Sequence, residues 1–326
     1  MRNIGMIHGG FDPAFIDINI RPMNEKDGRL ISDLPPLGSH HTLTDIVLIP
    51  GGNGFNLCRT LASVGHQVTY VGPSSQLYEN LIKENNIPLT VKPIKNAEVN
   101  FTGVLNLQGG EIQFNSVKGK LSTEHLSEDL LDCYMKSPLK CISNVALNTT
   151  SIEWISSLIL SLWSLDFIEC LTEKNPPQKI LNEMQQTDFE GILFIDPSDI
   201  THFTRIEEFI TFLKETSKLL GEKYLSVNEN ELKRILDVSQ KTPDEFVNEF
   251  GIPIIYHSAS EIIFYGKDRI SLKSKELTRK TNFVGAGDCF NGMFLNSVFQ
   301  KESVEDSLQS AINGATHLIE TGNYPT

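Results

Sequence analysis

The chain has 326 residues, with 41 acidic against 28 basic side chains and a formal net charge of −13. An apolar share of 40%, with 18 Phe, supplies a core and excludes a disordered chain. The acidic balance argues against a nucleic-acid partner, which needs clustered cations against phosphate, and against docking on an anionic membrane. Length suggests two domains or one large α/β domain with an insertion. The five cysteines, Cys58, Cys133, Cys141, Cys170 and Cys289, are odd in number and hold no C-x-x-C pair. They read as reduced thiols of a cytoplasmic protein, not a disulfide or zinc framework. No signal-peptide core follows Met1, and the most apolar stretch, Leu158–Leu165, is too short to span a bilayer.

In chain order, Ile4–Ile7 reads as a buried strand closed by Gly9-Gly10. Phe15–Ile20 alternates apolar and polar residues, which predicts a half-exposed strand. Arg21 to His41, with Pro22, Pro35 and Pro36, reads as loop, and Leu43–Ile49 as strand. Gly51-Gly52-Asn53-Gly54 opens a helix, and Val68–Val71 is a buried strand. Leu77–Asn85 is a short helix, and Ala97–Val117 holds two strands about a Gln108-Gly109-Gly110-Glu111 turn. Cys141–Leu147 is a strand, Ser151–Leu171 a helix, Gly191–Ile195 a buried strand and Ile206–Leu220 a helix. Tyr224–Val227 is a strand, Asn230–Val238 a helix, and Pro253–Tyr256 with Glu261–Tyr265 a strand pair. Phe290–Phe299 and Val304–Glu320 are helices. The half-exposed strands of the first part and the alternation of buried strands and helices after Cys141 predict an α/β domain. Its central sheet is mostly parallel and flanked by helices, and it carries a small inserted β-sheet lid.

The strongest chemical signal is Gly285-Ala286-Gly287-Asp288 before an apolar helix. Backbone N–H groups at a helix N-terminus form an anion site, and glycine lets a phosphate approach them. An ionised Asp288 beside a bound phosphoryl group suits a general base for a hydroxyl nucleophile. In isolation the same four residues also fit a tight turn with Asp288 as an N-cap. Asn228 followed by Glu231 fits a capping box. A P-loop, a G-x-G-x-x-G fingerprint and an H-E-x-x-H zinc site are all missing from the sequence.

Thr281–Phe299 (TNFVGAGDCFNGMFLNSVF) resembles the C-terminal signature of the ribokinase-like, or pfkB, carbohydrate kinases. Pro50–Gly65 (PGGNGFNLCRTLASVG) resembles their glycine-glycine signature, Asn228-Glu229-Asn230-Glu231 their N-x-x-E element, and Ala311–Gly322 their last helix. The resemblance spans nearly the whole chain, in the family's order. It implies one ribokinase-like domain over residues 1–326, with lid strands from about 12–48 and 97–118. It implies ATP-dependent phosphorylation of a hydroxyl on a sugar or sugar-like molecule. Asp288 would be the base, and Gly285, Ala286 and Gly287 the anion hole. Asn228 and Glu231 would hold Mg²⁺ through water, and Asn313 would border the adenine. Gly51, Gly52 and Asn56 would meet the substrate, with Asp12, or alternatively Asp17, as its early carboxylate. The family's lid often joins two subunits, so the resemblance also implies a possible homodimer.

Three departures matter. Asn282 and Phe283 stand where the family has Asp and Thr, which puts a monovalent cation in doubt. Tyr256 and Ser258 replace the Thr and Gly of a T-x-G element beside the nucleotide, with His257 between them. Asp196-Pro197-Ser198-Asp199-Ile200 carries no Arg where many members have Asp-x-Asn-x-Arg, which weakens the case for a phosphorylated substrate. Arg59, one turn after Asn56, is the basic residue that could still serve a substrate phosphate; its other reading is a solvated helix charge. Two further functions stay open. One is a nucleoside kinase, in which Phe11, Phe15 or Phe101 stacks on a base. The other is a non-catalytic sugar or nucleotide binder.

Overall fold

A computed structural model describes residues 6–10, 14–23, 30–32, 44–94, 97–107, 110–116, 139–142, 192–198, 200, 206–217, 221–277 and 284–326. The strands are β1 (Ile7–Gly10), β2 (Phe15–Pro22), β3 (Thr44–Gly51), β4 (Val68–Pro73), β5 (Thr90–Ile94), β6 (Asn100–Leu107) and β7 (Gly110–Ser116). They continue with β8 (Leu139–Ile142), β9 (Ile192–Ile195), β10 (Glu222–Val227), β11 (Ile254–His257), β12 (Glu261–Tyr265) and β13 (Ile270–Lys273). The helices are α1 (Asn53–Ser63), α2 (Gln76–Glu84), α3 (Ile206–Thr216), α4 (Glu229–Ser239), α5 (Pro243–Phe250), α6 (Ala286–Phe299) and α7 (Val304–Thr321). The expected helix Ser151–Leu171 and most of the expected Arg21–His41 loop lie outside the described residues.

Strands β1-β4-β5 form a parallel sheet, and β8-β9-β10-β11 run parallel in a second sheet that ends in antiparallel β12 and β13. β1 lies against β8, so the two sheets meet edge to edge. β4 and β9 are buried throughout, as strands covered on both faces must be. The core joins Ile7, Phe55, Tyr70, Phe194, Ile255 and Phe294. Phe55 packs edge-on against Tyr70 at 5.1 Å and against Tyr78 at 5.3 Å, offsets that suit the ring quadrupoles.

Local sequence explains where the helices begin. Ser75 caps α2 by accepting from the Tyr78 N–H. Thr242 and Glu245 make a reciprocal capping box for α5, with Pro243 in its first turn and Gly251 left-handed at its end. Ser303 caps α7, and Gly322 ends it. The buried positions of α6 run all around its axis, from Asp288 and Cys289 to Asn296 and Ser297, so it is a central helix with no solvent stripe.

The separate small sheet has the order β3-β2-β6-β7. In it β2 is antiparallel to β3 and parallel to β6, and β6 is antiparallel to β7. Strand alternation gives this sheet two unlike faces. Asp17, Asn19, Asn100, Thr102 and Asn106 share one face, and all five are buried. Ile46, Phe101, Ile112 and Phe114 share the other, where Ile46 is 61% and Phe114 64% exposed. Phe15–Ile20, expected as a half-exposed strand, therefore has Asp17 and Asn19 covered on its polar side. Alternation tells which residues share a face; here the covered face is the polar one.

Candidate active site

The parallel strands aim their C-terminal ends at one region, the usual crevice of an α/β sheet. β9 delivers Asp196, β10 delivers Asn228 and β11 ends at His257. Helices α1 and α6 both begin there.

The start of α6 is built for an anion. Gly285 is its N-cap at φ 77, a left-handed conformation that glycine adopts without Cβ strain, and no side chain caps the helix. The first N–H groups therefore have no intrahelical acceptor. The side of Gly287 where a Cβ would sit is open, with no atom within 4 Å. Asp288 follows, buried in the first turn.

What holds Asp288 comes from the other signature. The side-chain Nδ2 of Asn56 donates to Asp288 Oδ2 at 2.9 Å. This contact needs α1 and α6 to pack closely, which Gly292 permits: a Cβ there would stand 2.7 Å from Thr60 Cβ and Cγ2. Thr60 in turn donates its hydroxyl to the Asn56 carbonyl at 2.9 Å, fixing the turn that carries Asn56. Burial pushes the neighbouring Cys289 thiol up to about 12, so it stays protonated beside the site.

Asp17 belongs to the same region. Its carboxyl lies over Gly51, where any Cβ would collide with it, and Thr102 hydrogen-bonds it. Burial pushes this carboxyl up to about 7, against the Thr102 bond, which lowers it. Gly52 is the N-cap of α1 and accepts from the Asn56 N–H at 2.8 Å. Asp12, Asn282 and Phe283 lie outside the described residues. Of the two sequence candidates for the early carboxylate, Asp17 is thus the one the structure describes.

A polar chain ties α6 to the strand ends. Ser226 Oγ donates to Asn291 Oδ1 at 2.7 Å, and Asn291 Nδ2 donates to Asp196 Oδ2 at 2.7 Å. The Ser198 N–H also donates to Asp196, whose carboxyl is raised by burial. Asn53 Nδ2 reaches Ser198 Oγ at 3.2 Å, so α1 is anchored to the end of β9.

Asn228 and Glu231 form the capping box that the sequence left open. Asn228 is the N-cap of α4, accepting from the N–H groups of Asn230 and Glu231. Glu231 Oε2 accepts from the Asn228 N–H at 2.8 Å, and Oε1 from its Nδ2 at 2.6 Å. Both carboxylate oxygens are already engaged, so this buried group suits a water-mediated cation contact better than direct ligation. Among the described residues, no three His, Cys, Asp or Glu side chains cluster as a metal-binding group. None of their helices is long and apolar enough to cross a membrane.

Asn313 is exposed on α7 and lines a cavity of about 590 Å³ with Met293, Gly314, His317 and Pro325. Its side-chain oxygen accepts from Gln309 at 3.4 Å. Ser258, in the altered T-x-G position, serves the turn between β11 and β12: its hydroxyl accepts from the Glu261 N–H. Desolvation holds His257 down at about 4, so it is neutral at pH 7, with its ring 5.3 Å from Phe290.

Among the residues that the sequence did not single out are Thr60, Thr102, Ser226, Asn291 and Tyr324. Tyr324, after α7, donates its hydroxyl to Asn56 Oδ1 at 3.2 Å. The Arg59 guanidinium stacks over the Tyr324 ring at 4.1 Å from its centre. Arg59 is therefore a partner of that ring and not a solvated helix charge.

No protein-family model matches the sequence, and no curated protein does. Solved structures do. An adenosine kinase from Schistosoma mansoni in complex with 2-fluoroadenosine aligns with a TM-score of 0.69 at 12% identity, over 100% of this chain and 98% of its own. A ribokinase from Cryptococcus neoformans in complex with ADP aligns at 0.66 and 17%, over 97% and 93%. An Arabidopsis thaliana ribokinase complexed with ribose and ATP aligns at 0.61 and 16%, over 98% and 93%. At such identities the likeness is one of architecture, and by that architecture this chain has the ribokinase-like fold.

Proposed function

We propose that the protein is an ATP-dependent phosphotransferase acting on a hydroxyl of a sugar or sugar-like small molecule. The observation that carries this reading is the uncapped start of α6 with Asp288 in its first turn, held by Asn56 of the other signature. The N–H groups of Gly285, Ala286 and Gly287 stabilise the charge that develops on the transferred phosphoryl group. Asp288 accepts the proton of the attacking hydroxyl as the O–P bond forms. Asp17, Gly51, Gly52 and Asn56 orient the substrate. Glu231 and Asn228 hold a Mg²⁺ through its water, and that ion neutralises phosphate charge when bound. The nucleotide lies toward α7 and Asn313. Backbone dipoles need no cationic side chain to hold phosphate, so the acidic chain suits a nucleotide. The whole chain acts as one kinase domain in the cytoplasm, with the small sheet as its lid. The exposed apolar face of that sheet supports a homodimer joined through it.

A panel of sugars with Mg-ATP tests this reading. A phosphorylated product is expected, and Asp288→Asn is expected to lower turnover at least about 100-fold while nucleotide affinity holds. Full turnover in that variant would remove Asp288 as the base.

A nucleoside substrate is the second reading, favoured by the whole-chain likeness to an adenosine kinase. Of the three candidate aromatics, Phe11 lies outside the described residues and Phe15 shares a face with Asp17. Phe101 pairs with Ile16 on the opposite face, which removes it as a stacking partner for a base held at Asp17. Competition among adenosine, cytidine and ribose decides between the two. Product from any of them would also exclude a binder without turnover.

A further inference from the structure

Among the described residues, the Asn56 side chain bonds to Asp288 and Tyr324, and these partners differ in what they can do. Asp288, when ionised, only accepts. Tyr324 donates its hydroxyl to Asn56 Oδ1 at 3.2 Å, and Asn56 Nδ2 donates to Asp288 Oδ2 at 2.9 Å. An amide flipped about its last torsion would point its oxygen at the carboxylate and its nitrogen at the phenol. The accept-only carboxylate selects the unflipped orientation, and the phenol, able to donate or accept, adds a bond to Oδ1 that holds the amide in place. One contact holds the ring, and one glycine leaves space for its hydroxyl. The Arg59 guanidinium lies 4.1 Å over its centre, and a Cβ on Gly285 would stand 2.8 Å from the Tyr324 oxygen. Only a glycine at the start of α6 leaves room for that hydroxyl.

We propose that Tyr324 is a positioning residue for the base: through Asn56, it fixes the hydrogen bond that orients and stabilises the ionised Asp288 carboxylate. This rests on the kinase reading only for its consequence in turnover, because the relay itself is a property of the folded chain. Burial raises the Tyr324 phenol, and the neighbouring carboxylates Asp288 and Asp17 add to this while Arg59 opposes it. The phenol thus stays protonated and remains a donor at working pH. Among the described residues, Cys289 of α6 and Tyr324 interact electrostatically with Asp288, and Arg59 of α1 and Asp17 of β2 interact with Tyr324. Asp196, at the end of β9, reaches α6 through Asn291.

Tyr324→Phe keeps the ring and its stack on Arg59 and removes only the hydroxyl. The first readout is the carboxyl ¹³C titration of Asp288 in selectively labelled protein, assigned by its loss in Asp288→Asn. In Tyr324→Phe the Asp288 pKa is expected to rise by about half a unit to one unit, because the donated bond from Asn56 is no longer enforced. The second readout is the pH profile of kcat, whose acid limb moves to higher pH by the same amount. Asn56→Ala alone and combined with Tyr324→Phe should give the same Asp288 titration, since the relay passes through Asn56. An unchanged Asp288 titration in Tyr324→Phe overturns the inference, even if thermal stability falls. So does a further shift when Tyr324→Phe is added to Asn56→Ala. The titration needs no turnover, so wild-type protein that phosphorylates nothing would sink the kinase reading and leave this one to be judged separately.

Discussion

Asn56 and Asp288 meet through a 2.9 Å hydrogen bond between the first turn of α1 and the first turn of α6. Each belongs to one of the two glycine signatures, so neither signature makes the site alone. Asn56→Ala leaves the carboxylate without this charge-assisted donor. Such bonds are worth about 1.5–3 kcal/mol, so steady-state kinetics should show kcat reduced roughly 10- to 100-fold. A kcat within twofold of wild type would show that Asp288 needs no such support.

The close crossing of α1 and α6 is tested at Gly292. Alanine is the better helix former by about 1 kcal/mol, yet its Cβ would meet Thr60 at 2.7 Å. Gly292→Ala is expected to cost about 1–3 kcal/mol by overpacking and to reduce turnover by displacing Asn56. Combining it with Thr60→Ala should recover part of the stability but not of the turnover, since Cγ2 leaves while Cβ stays and the hydroxyl bond to Asn56 is lost. Thermal unfolding and initial rates check this, and a stabilised single variant would contradict it.

Asp17 predicts a pH-dependent stability. Its carboxyl is moved from 3.8 up to about 7 by burial. Between those values the folded chain binds more protons at this group than the unfolded chain, so its contribution falls as pH rises through that window. Asp17→Asn should therefore be more stable than wild type at pH 8, by at most about 4 kcal/mol. The difference should shrink toward zero near pH 4. Urea titrations at pH 5 and pH 8 measure it, and a gap that does not change with pH would place the group outside this account. The same variant should raise the substrate KM if Asp17 grips a hydroxyl.

Glu231→Gln keeps shape and hydrogen-bonding reach but removes a charge. If the carboxylate holds Mg²⁺ through water, the Mg²⁺ concentration for half-maximal rate should rise about 10-fold while the sugar KM holds. Asn228→Ala should cost about 1–2 kcal/mol as a lost N-cap, whatever the cation does. An unaltered Mg²⁺ response in Glu231→Gln would leave the pair as a capping box alone.

The apolar face of the small sheet predicts self-association. Ile46→Asp combined with Phe114→Asp should convert a dimer to a monomer in analytical ultracentrifugation. A wild-type chain that is monomeric at all concentrations would discard that surface as an interface.

Much of this fold was legible from period and punctuation. The buried runs at Val68–Val71 and Ile192–Ile195 became covered parallel strands, and the Gly-rich turns became helix starts. Helix α5 was missed although Thr242-Pro243, Glu245 and Gly251 mark both its ends; its brevity hid it. β5 and β13 were missed because short, half-exposed strands show no apolar run. β1 lies a few residues later than Ile4–Ile7, since its second half is Gly9-Gly10. The resemblance puts Asp12 ahead of Asp17 because it follows the first strand; that Asp17 sits against Thr102 and Gly51 depends on strands distant in sequence and has no local signal. Tyr324 had no local signal at all: its partner Asn56 lies 268 residues away, and only folding brings them together.

The glycine contact between α6 and α1 also has a consequence for how the chain acquires function. Its two helices lie far apart in sequence, and closing so long a loop is entropically late. Partial assemblies of the strands bury apolar surface but leave Asp288 without its donor. Recovery of turnover on refolding should then trail the recovery of secondary structure, making activity a reporter of the last long-range docking event.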